Sequence, residues 1–123
     1  MSEFTQPEPS RGEKITPYRD GGDFVRSGFD GQILVDGSEQ RGFSALLVDV
    51  HGEHPPKRMI DTTRTYLVLE GEGSFTLDGS RKTIQKGDFI IIPPGGEYQY
   101  EGEMQLFELN VSPDNSFKDE KLA

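Results

Sequence analysis

Two arginines and three tyrosines are the residues of this chain whose types could do chemistry. They are Arg58 and Arg64, followed by Tyr66, Tyr98 and Tyr100. A guanidinium group presents a planar fork of donors that suits bidentate binding of a carboxylate or a phosphate. A phenol beside a guanidinium group has its ionised form favoured and can serve as a general acid or base. The residue types indicate binding of a small anionic molecule, with Tyr98 as the candidate for proton transfer.

The only histidines lie close together, as His51 and His54 with Glu53 between them. Three potential ligands in such a short segment suggest a metal, but a metal site needs ligands that converge on one point from well-placed positions. The segment reads as a loop that follows a strand. We therefore predict that both histidines lie outside the strands that face the interior, and that the chain has no metal ligand and no cofactor. The chain has no cysteine, which excludes a disulfide scaffold and thiolate chemistry.

Short runs rich in β-branched and aromatic residues predict strands along most of the chain. They cover residues 43–50, 62–69, 73–78, 81–85 and 88–92. Asp78-Gly79 lies between two of them and predicts a tight hairpin, because both central residues of a type I′ turn need a positive φ. Few segments carry a helical period. The predicted fold class is all-β, and an antiparallel sheet of this size hides its edges best by closing on itself.

The spacing of glycines and prolines resembles that of the cupin superfamily. The first cupin motif places two histidines and a glutamate between two glycines, and Gly52 and Gly71 occupy those glycine positions. The second motif has a glycine, a proline and a glycine before its histidine, and Gly87, Pro93 and Gly95 match it. The resemblance implies a single cupin-type (jelly-roll) antiparallel β-barrel.

The resemblance also implies which residues stand where a cupin would bind its metal. These positions fall on Arg58, Ile60, Arg64 and Tyr98. A guanidinium group has no lone pair to donate and an isoleucine has no ligand atom, so the resemblance implies a metal-independent cupin. Strand side chains alternate between faces. If positions 60 and 64 face inward as in the family, the following residues do so as well: Arg58, Thr62, Tyr66 and Val68.

Two arginines inside an apolar barrel need anionic partners, because an unpaired buried charge is costly. In one interpretation the partner is a carboxylate or a phosphorylated or sugar-type ligand. The ligand-binding residues are then Arg58, Arg64, Tyr66, Tyr98, Tyr100 and Glu108. In another, internal carboxylates pair with the arginines and the chain is a ligand-free structural or assembly module with a filled barrel. The candidate carboxylates are Glu108, Asp61 and Glu101.

A further alternative is a metal-free isomerase, epimerase or lyase that uses Tyr98 as its acid or base. Metal-independent cupins of this kind use histidine and tyrosine for proton transfer. The present chain resembles them only in lacking the metal ligands, and the predicted loop position of both histidines leaves their catalytic histidine without a match.

Composition and charge exclude other classes of function. The chain has 123 residues and a formal net charge of −9, which repels nucleic acids and anionic lipid surfaces. It has no apolar run of membrane-spanning length and no secretory leader, so we expect a soluble, cytoplasmic protein. Composition divides it into an N-terminal arm over residues 1–28, a barrel over 29–113 and a charged C-terminal tail over 114–123.

We also expect a homodimer. The segment 15–35 carries more apolar residues than a solvated arm needs, namely Phe24, Val25, Phe29, Ile33 and Leu34. Cupins commonly dimerise by exchanging N-terminal strands or by packing sheet on sheet, and this segment could do either.

Overall fold

The computed structural model describes residues 14–19, 22–38 and 42–122. Eight strands follow one another along the chain: β1 (Phe24–Val25), β2 (Phe29–Val35), β3 (Phe43–Met59), β4 (Thr63–Leu77), β5 (Ser80–Gln85), β6 (Phe89–Ile92), β7 (Glu97–Val111) and β8 (Asp119–Lys121). Every pairing between them is antiparallel. The described ranges contain no helix, so the predicted all-β class is confirmed. Accordingly, no helix in these ranges is long and apolar enough to cross a membrane.

Three long strands form the frame of the molecule. Strand β7 lies between β3 and β4, and the sheet runs in the order β1-β2-β3-β7-β4-β5. The short strand β6 pairs with β4, and β8 pairs with β3. Because β7 has neighbours on both sides, residues of all three long strands meet across it. Tyr66 and Leu46 both lie opposite Glu108, and His54 lies opposite Tyr100.

A row of glycines crosses the three long strands. Gly52 and Gly73 both lie opposite Gly102. A Cβ on Gly73 would lie 2.3 Å from the carbonyl oxygen of Glu101, and one on Gly102 would lie 2.6 Å from the Cα of Gly73. Only glycine allows the backbones to approach so closely, and such positions mark the corners at which long strands bend. The row explains how strands of this length belong to one small barrel.

The core is made of the alternating inward side chains of the long strands. Its buried members include Val48, Val50, Met59, Tyr66, Val68, Phe75, Tyr98, Tyr100, Met104 and Leu106. The hairpin predicted at Asp78-Gly79 is present between β4 and β5. Both residues have positive φ, 48° and 85°.

The predicted alternation of inward and outward side chains fails in the first half of the first cupin motif. Strand β3 has one extra residue between His54 and Lys57, where its register with β7 shifts. A slip of one residue moves every following side chain to the opposite face. Met59 is therefore fully buried, and the Arg58 side chain is 40% exposed. Ile60 lies in the turn after β3 and is 45% exposed, so the inward orientation predicted for Arg58 and Ile60 is wrong.

The sheet extends beyond the predicted barrel limits of 29 and 113. Strand β8 belongs to the predicted tail and pairs with the end of β3, with Asp119 opposite Met59. The segment that precedes β8 is held by Asn115. Its side chain accepts a hydrogen bond from the Gly42 amide and donates one to the Gly37 carbonyl. The C-terminal segment is thus a structural part of the domain. Of the predicted N-terminal arm, residues 1–13, 20 and 21 lie outside the described residues.

The outer surface carries several exposed apolar side chains that a second copy could cover. Phe89 and Ile91 on β6 are 58% and 57% exposed, and Val25 on β1 is 68% exposed. Phe29, by contrast, packs against the core. A single chain does not test assembly, so the homodimer stays a prediction.

Candidate functional site

The guanidinium group of Arg64 is the centre of a network in the barrel interior. Its Nε donates to Oδ1 of Asn110 at 2.6 Å, and its Nη1 donates to the Tyr98 hydroxyl at 2.7 Å. The carboxylate of Asp119 lies 3.3 Å from Nη1, and that of Glu108 lies 3.6 Å from Nε. Burial is the largest single effect on the pKa of Arg64 and acts to lower it, but the Glu108 carboxylate, Tyr66 and Tyr98 together outweigh burial, so the pKa is raised. Arg64 is a permanent buried cation.

The partners of Arg64 are themselves held in place. Glu108 Oε2 accepts a hydrogen bond from Asn110 Nδ2 at 2.8 Å, and the same amide group donates to the Ser44 hydroxyl at 3.1 Å. Of the three internal carboxylates considered from the sequence, Glu108 pairs with Arg64. The other two bind elsewhere: Asp61 accepts a hydrogen bond from the Lys118 amide, and Glu101 pairs with Arg81.

Arg58 is separate from this network. Its guanidinium group pairs with Glu97 at 2.6 Å and also with Glu120. Both carboxylates belong to neighbouring strands, and the three side chains are each at least 40% exposed. The structure therefore does not bring the two arginines together, because the extra residue in β3 places Arg58 on the face opposite the core.

The residues at the cupin metal positions do not fit a metal. Arg58 and Ile60 point away from the core, and Arg64 fills the interior with a cation that has no lone pair to donate. Within residues 14–19, 22–38 and 42–122, no group of three or more His, Cys, Asp or Glu side chains is placed to hold a metal ion.

The tyrosines of the interior are neutral. The Tyr66 hydroxyl donates to that of Tyr98 at 3.2 Å, and both side chains are almost fully buried. Burial raises the pKa of Tyr98 even though Arg64 acts in the opposite direction. Arg64 thus favours the ionised phenol, as expected from the sequence, but burial outweighs this effect. The pKa of Tyr100 is raised for the same reason, burial, and each phenol keeps its proton.

His54 lies inside the barrel, which corrects the prediction that it occupies an outer loop. Strand β3 continues past it to Met59, and only 6% of the residue is exposed. Its ring stacks on Tyr100 with 4.5 Å between centroids and on Tyr98 with 5.3 Å, and Phe29 lies 4.8 Å away. Its Nδ1 atom is buried and has no hydrogen-bond partner.

A signal for His54 was present in the sequence. Val48, Val50 and His54 share the period of two that brings strand side chains to one face. The two prolines that follow His54 made this pattern hard to recognise, because prolines usually mark a strand end. His51, on the other face, is 46% exposed at its side chain and lies 3.4 Å from Asp30, as expected for a surface histidine.

The His54 imidazole is neutral near neutral pH. Its pKa is lowered from 6.5 to about 4, first by burial and then by the ammonium group of Lys57. The Pro55 carbonyl acts in the opposite direction, and Arg64 has a smaller lowering effect. A buried polar atom without a partner is uncommon and destabilising. A neutral imidazole has one ring nitrogen that can accept a proton or a hydrogen bond.

Three cavities meet at His54. One of about 220 Å³ reaches the interior and is lined by Arg64, Tyr100 and Glu108 among others. One of about 340 Å³ lies further out, and one of about 460 Å³ is lined by polar residues such as Ser74 and Gln99. Tyr66 and Tyr98 line none of the three. A ligand in these cavities would touch His54, Tyr100, Arg64 and Glu108, with the other two tyrosines behind them.

We expect Arg64→Met to destabilise the protein strongly. The change leaves the Glu108 carboxylate buried without its cation, which costs about 3 to 5 kcal/mol of unfolding free energy. Arg58→Met is the matched control and should change stability little, because its ion pairs are exposed. Urea unfolding of both variants measures the difference. Equal stability of the two variants would contradict the network described here.

A second prediction concerns the pH dependence of stability. Because the pKa of His54 is about 4 when folded and 6.5 when unfolded, the unfolded chain binds the proton more tightly. The contribution of His54 is complete above pH 6.5 and is lost as the pH falls towards 4, by about 2 to 3 kcal/mol. His54→Gln should remove this part of the pH dependence, whereas His51→Gln should keep it. Urea unfolding at neutral and acidic pH tests this, and an unchanged difference in His54→Gln would refute it.

Comparison with known structures shows which proteins share this architecture. Pac13, described as a unique nucleoside dehydratase, has a TM-score of 0.76 at 20% identity over 89% of this chain and 92% of its own. The Streptomyces protein was also solved with uridine in three substituted forms, one with a histidine changed to glutamine and two with a tyrosine changed to phenylalanine. KdgF from Halomonas sp. has a TM-score of 0.64 at 17% identity, covering 72% of this chain and 83% of its own. The cupin domain of Schizosaccharomyces pombe Cnp3 has a TM-score of 0.67 at 18% identity, covering 80% of this chain and 75% of its own.

Sequence comparison gives the same answer. An uncharacterised protein of Aquifex aeolicus (strain VF5) is 30% identical over 69 residues, which are 56% of this chain and 57% of that protein. The family model described as a cupin domain matches residues 46–108, from Leu46 near the start of β3 to Glu108 on β7. This match contains the bulge at Pro55-Pro56, the buried Arg64 and its carboxylate partner Glu108. The chain therefore belongs to the cupin family, and its fold is the predicted cupin jelly-roll barrel.

Proposed function

We propose that this cupin is a metal-independent lyase that removes water from a small hydroxylated molecule by acid–base catalysis. The observation that carries the proposal is His54. It is a neutral imidazole at the meeting point of three cavities, and its buried Nδ1 has no partner in the protein. A general base must be unprotonated and within reach of the proton that it takes.

The proposed reaction needs one base and one acid. His54 takes a proton from a carbon next to a carbonyl group of the substrate. The electron pair of that C–H bond forms a carbon–carbon double bond and expels the hydroxyl group on the next carbon. Tyr100 lines the same inner cavity and holds its proton, so it can protonate the departing hydroxyl group, which leaves as water. His54 then returns its proton to solvent and Tyr100 recovers one.

The residues around this pair have supporting roles in the proposal. Arg64 uses Nε and Nη1 for protein partners, which leaves the Nη2 donors for a substrate oxygen. Tyr98, the sequence-based candidate for proton transfer, positions Arg64 and stacks on His54 from behind the cavity wall. Arg58, the other predicted ligand-binding residue, has no place in the site, because its partners are Glu97 and Glu120.

The structural relatives support this class of reaction. The neighbour described as a nucleoside dehydratase has the same fold, and its substituted forms with uridine replace a histidine or a tyrosine. A histidine and a tyrosine, His54 and Tyr100, are also among the residues that line the inner cavity here. At 20% identity the likeness itself extends to the fold alone, and the reaction class rests on the cavity.

One observation favours a second candidate, the ligand-free module with a filled barrel. Arg64 is already paired with Glu108 and Asp119, so its charge does not require a ligand. The His54 Nδ1 atom without a hydrogen-bond partner and the cavities beside this residue support the lyase, since a filled core would leave neither. A cytoplasmic location and a homodimer are further parts of the proposal.

Proton exchange tests the proposed function directly. The protein is incubated in D₂O with erythrose 4-phosphate, fructose 6-phosphate and their unphosphorylated counterparts, and deuterium incorporation and loss of water are followed by NMR. We expect exchange next to the carbonyl of at least one compound, reduced by about 100-fold or more in His54→Gln, since a general base contributes that much. His51→Gln is the matched control and should keep full activity. No exchange with any compound, or equal exchange in both variants, would tell against a lyase.

A further inference from the structure

Positive charge is concentrated around the outer cavity beside His54. Arg26, Lys57 and Lys121, here called the cationic cluster, line this cavity of about 340 Å³. Asp119 is the single acidic residue among its lining residues. The chain as a whole has a formal net charge of −9, so this excess of cations is the reverse of its average surface. Such a local reversal attracts anions to the cavity.

The cationic cluster is short of carboxylate partners. Asp119 lies 3.5 Å from Lys57 Nζ and 3.3 Å from Arg64, so one carboxylate serves two cations. Arg26 donates to the Val25 carbonyl at 3.1 Å and lies over the Phe24 ring. Neither Arg26 nor Lys121 forms an ion pair within the part of the chain that the structure describes.

The register of β8 adds to this excess. Lys57 and Lys121 lie directly opposite each other on paired antiparallel strands. Like charges at such positions destabilise the pairing of two strands. The arrangement is unfavourable for the empty protein, and an anion between the two ammonium groups would relieve it.

We propose that the cationic cluster binds an anionic group of the substrate, a phosphate or a carboxylate, while the hydroxylated part of the same molecule reaches His54. This inference rests on the proposed function and specifies its substrate class. The outer and inner cavities share Arg26, Phe29, His54 and Lys57, so one molecule can occupy both.

An anion bound at the cationic cluster would change the basicity of the His54 imidazole. Arg26, Lys121 and Glu108 line the same cavities as His54. Among the charged groups around its ring, Lys57 and then Arg64 disfavour the protonated form, and Asp119 favours it. An anion bound to Lys57 offsets the first of these effects. Substrate binding thus makes the imidazole a stronger base at the moment when the proton must be taken.

Binding of inorganic phosphate and of succinate tests the inference without any reaction. Each probe is titrated into the full chain at low ionic strength, and the NMR signals of His54 and its neighbours give the dissociation constant. We expect saturable binding, weakened about tenfold in Arg26→Gln and in Lys121→Gln, which corresponds to one lost charge-assisted contact. Arg81→Gln removes an exposed cation elsewhere and is the matched control. The tighter of the two probes shows whether the group is a phosphate or a carboxylate.

Absence of binding by both probes would overturn the inference, as would equal weakening in Arg81→Gln. The outcomes separate it from the proposed function. Binding that survives His54→Gln, together with no proton exchange in the wild type, would support the anion site and contradict the lyase. Equal exchange with phosphorylated and unphosphorylated compounds would support the lyase and contradict the anion site.

Discussion

The structure depends on how the charge of Arg64 is satisfied. A guanidinium group inside an apolar barrel would be too costly without partners, and its partners come from separate parts of the chain. Glu108 and Asn110 lie on β7, and Asp119 begins β8 at the C-terminal end. Strand β8 therefore does more than cover an edge, because it brings the second carboxylate to the interior. Folding of the C-terminal segment is tied to the charge at the centre of the barrel.

The same network sets the properties of His54. Metal-binding cupins place a cation at the centre of the barrel, and here a protein cation occupies that region. Burial keeps the imidazole unprotonated, with the help of Lys57 and, to a smaller extent, of Arg64. The phenols nearby are also neutral, since burial raises the pKa of each. The interior thus combines a fixed cation–carboxylate pair with a neutral imidazole and neutral phenols.

Local sequence patterns were sufficient to predict the architecture. The hairpin at Asp78-Gly79 depends only on which residues tolerate positive φ, and the glycine and proline spacing resembled that of cupins without any tertiary knowledge. The strand alternation failed at Arg58, because a single extra residue between His54 and Lys57 reverses the faces and no pairing partner is visible in one strand. The prolines at this bulge made the sequence after His54 look like the end of a strand. The strand in fact continues, because a bulge is one of the few places where a strand tolerates proline.

The electrostatics of the site could not be predicted for a related reason. Asp119 lies in a short charged run that is typical of a solvated tail, and only its pairing with β3 brings it to Arg64. For Tyr98, the sequence identified the neighbouring arginine but gave no measure of burial, and burial decides the direction of its pKa. Pairwise chemistry was visible in the sequence, whereas the depth at which each group is buried was not.

The most direct test of this account is a double-mutant cycle between Arg64 and Glu108. Unfolding free energies would be measured for the wild type, Arg64→Met, Glu108→Gln and the double variant. The account predicts a favourable coupling energy of about 1.5 to 3 kcal/mol, with the double variant more stable than the effects of the two single changes would sum to. A coupling energy near zero would show that the two groups do not depend on each other, and would contradict an internal ion pair at the centre of this barrel.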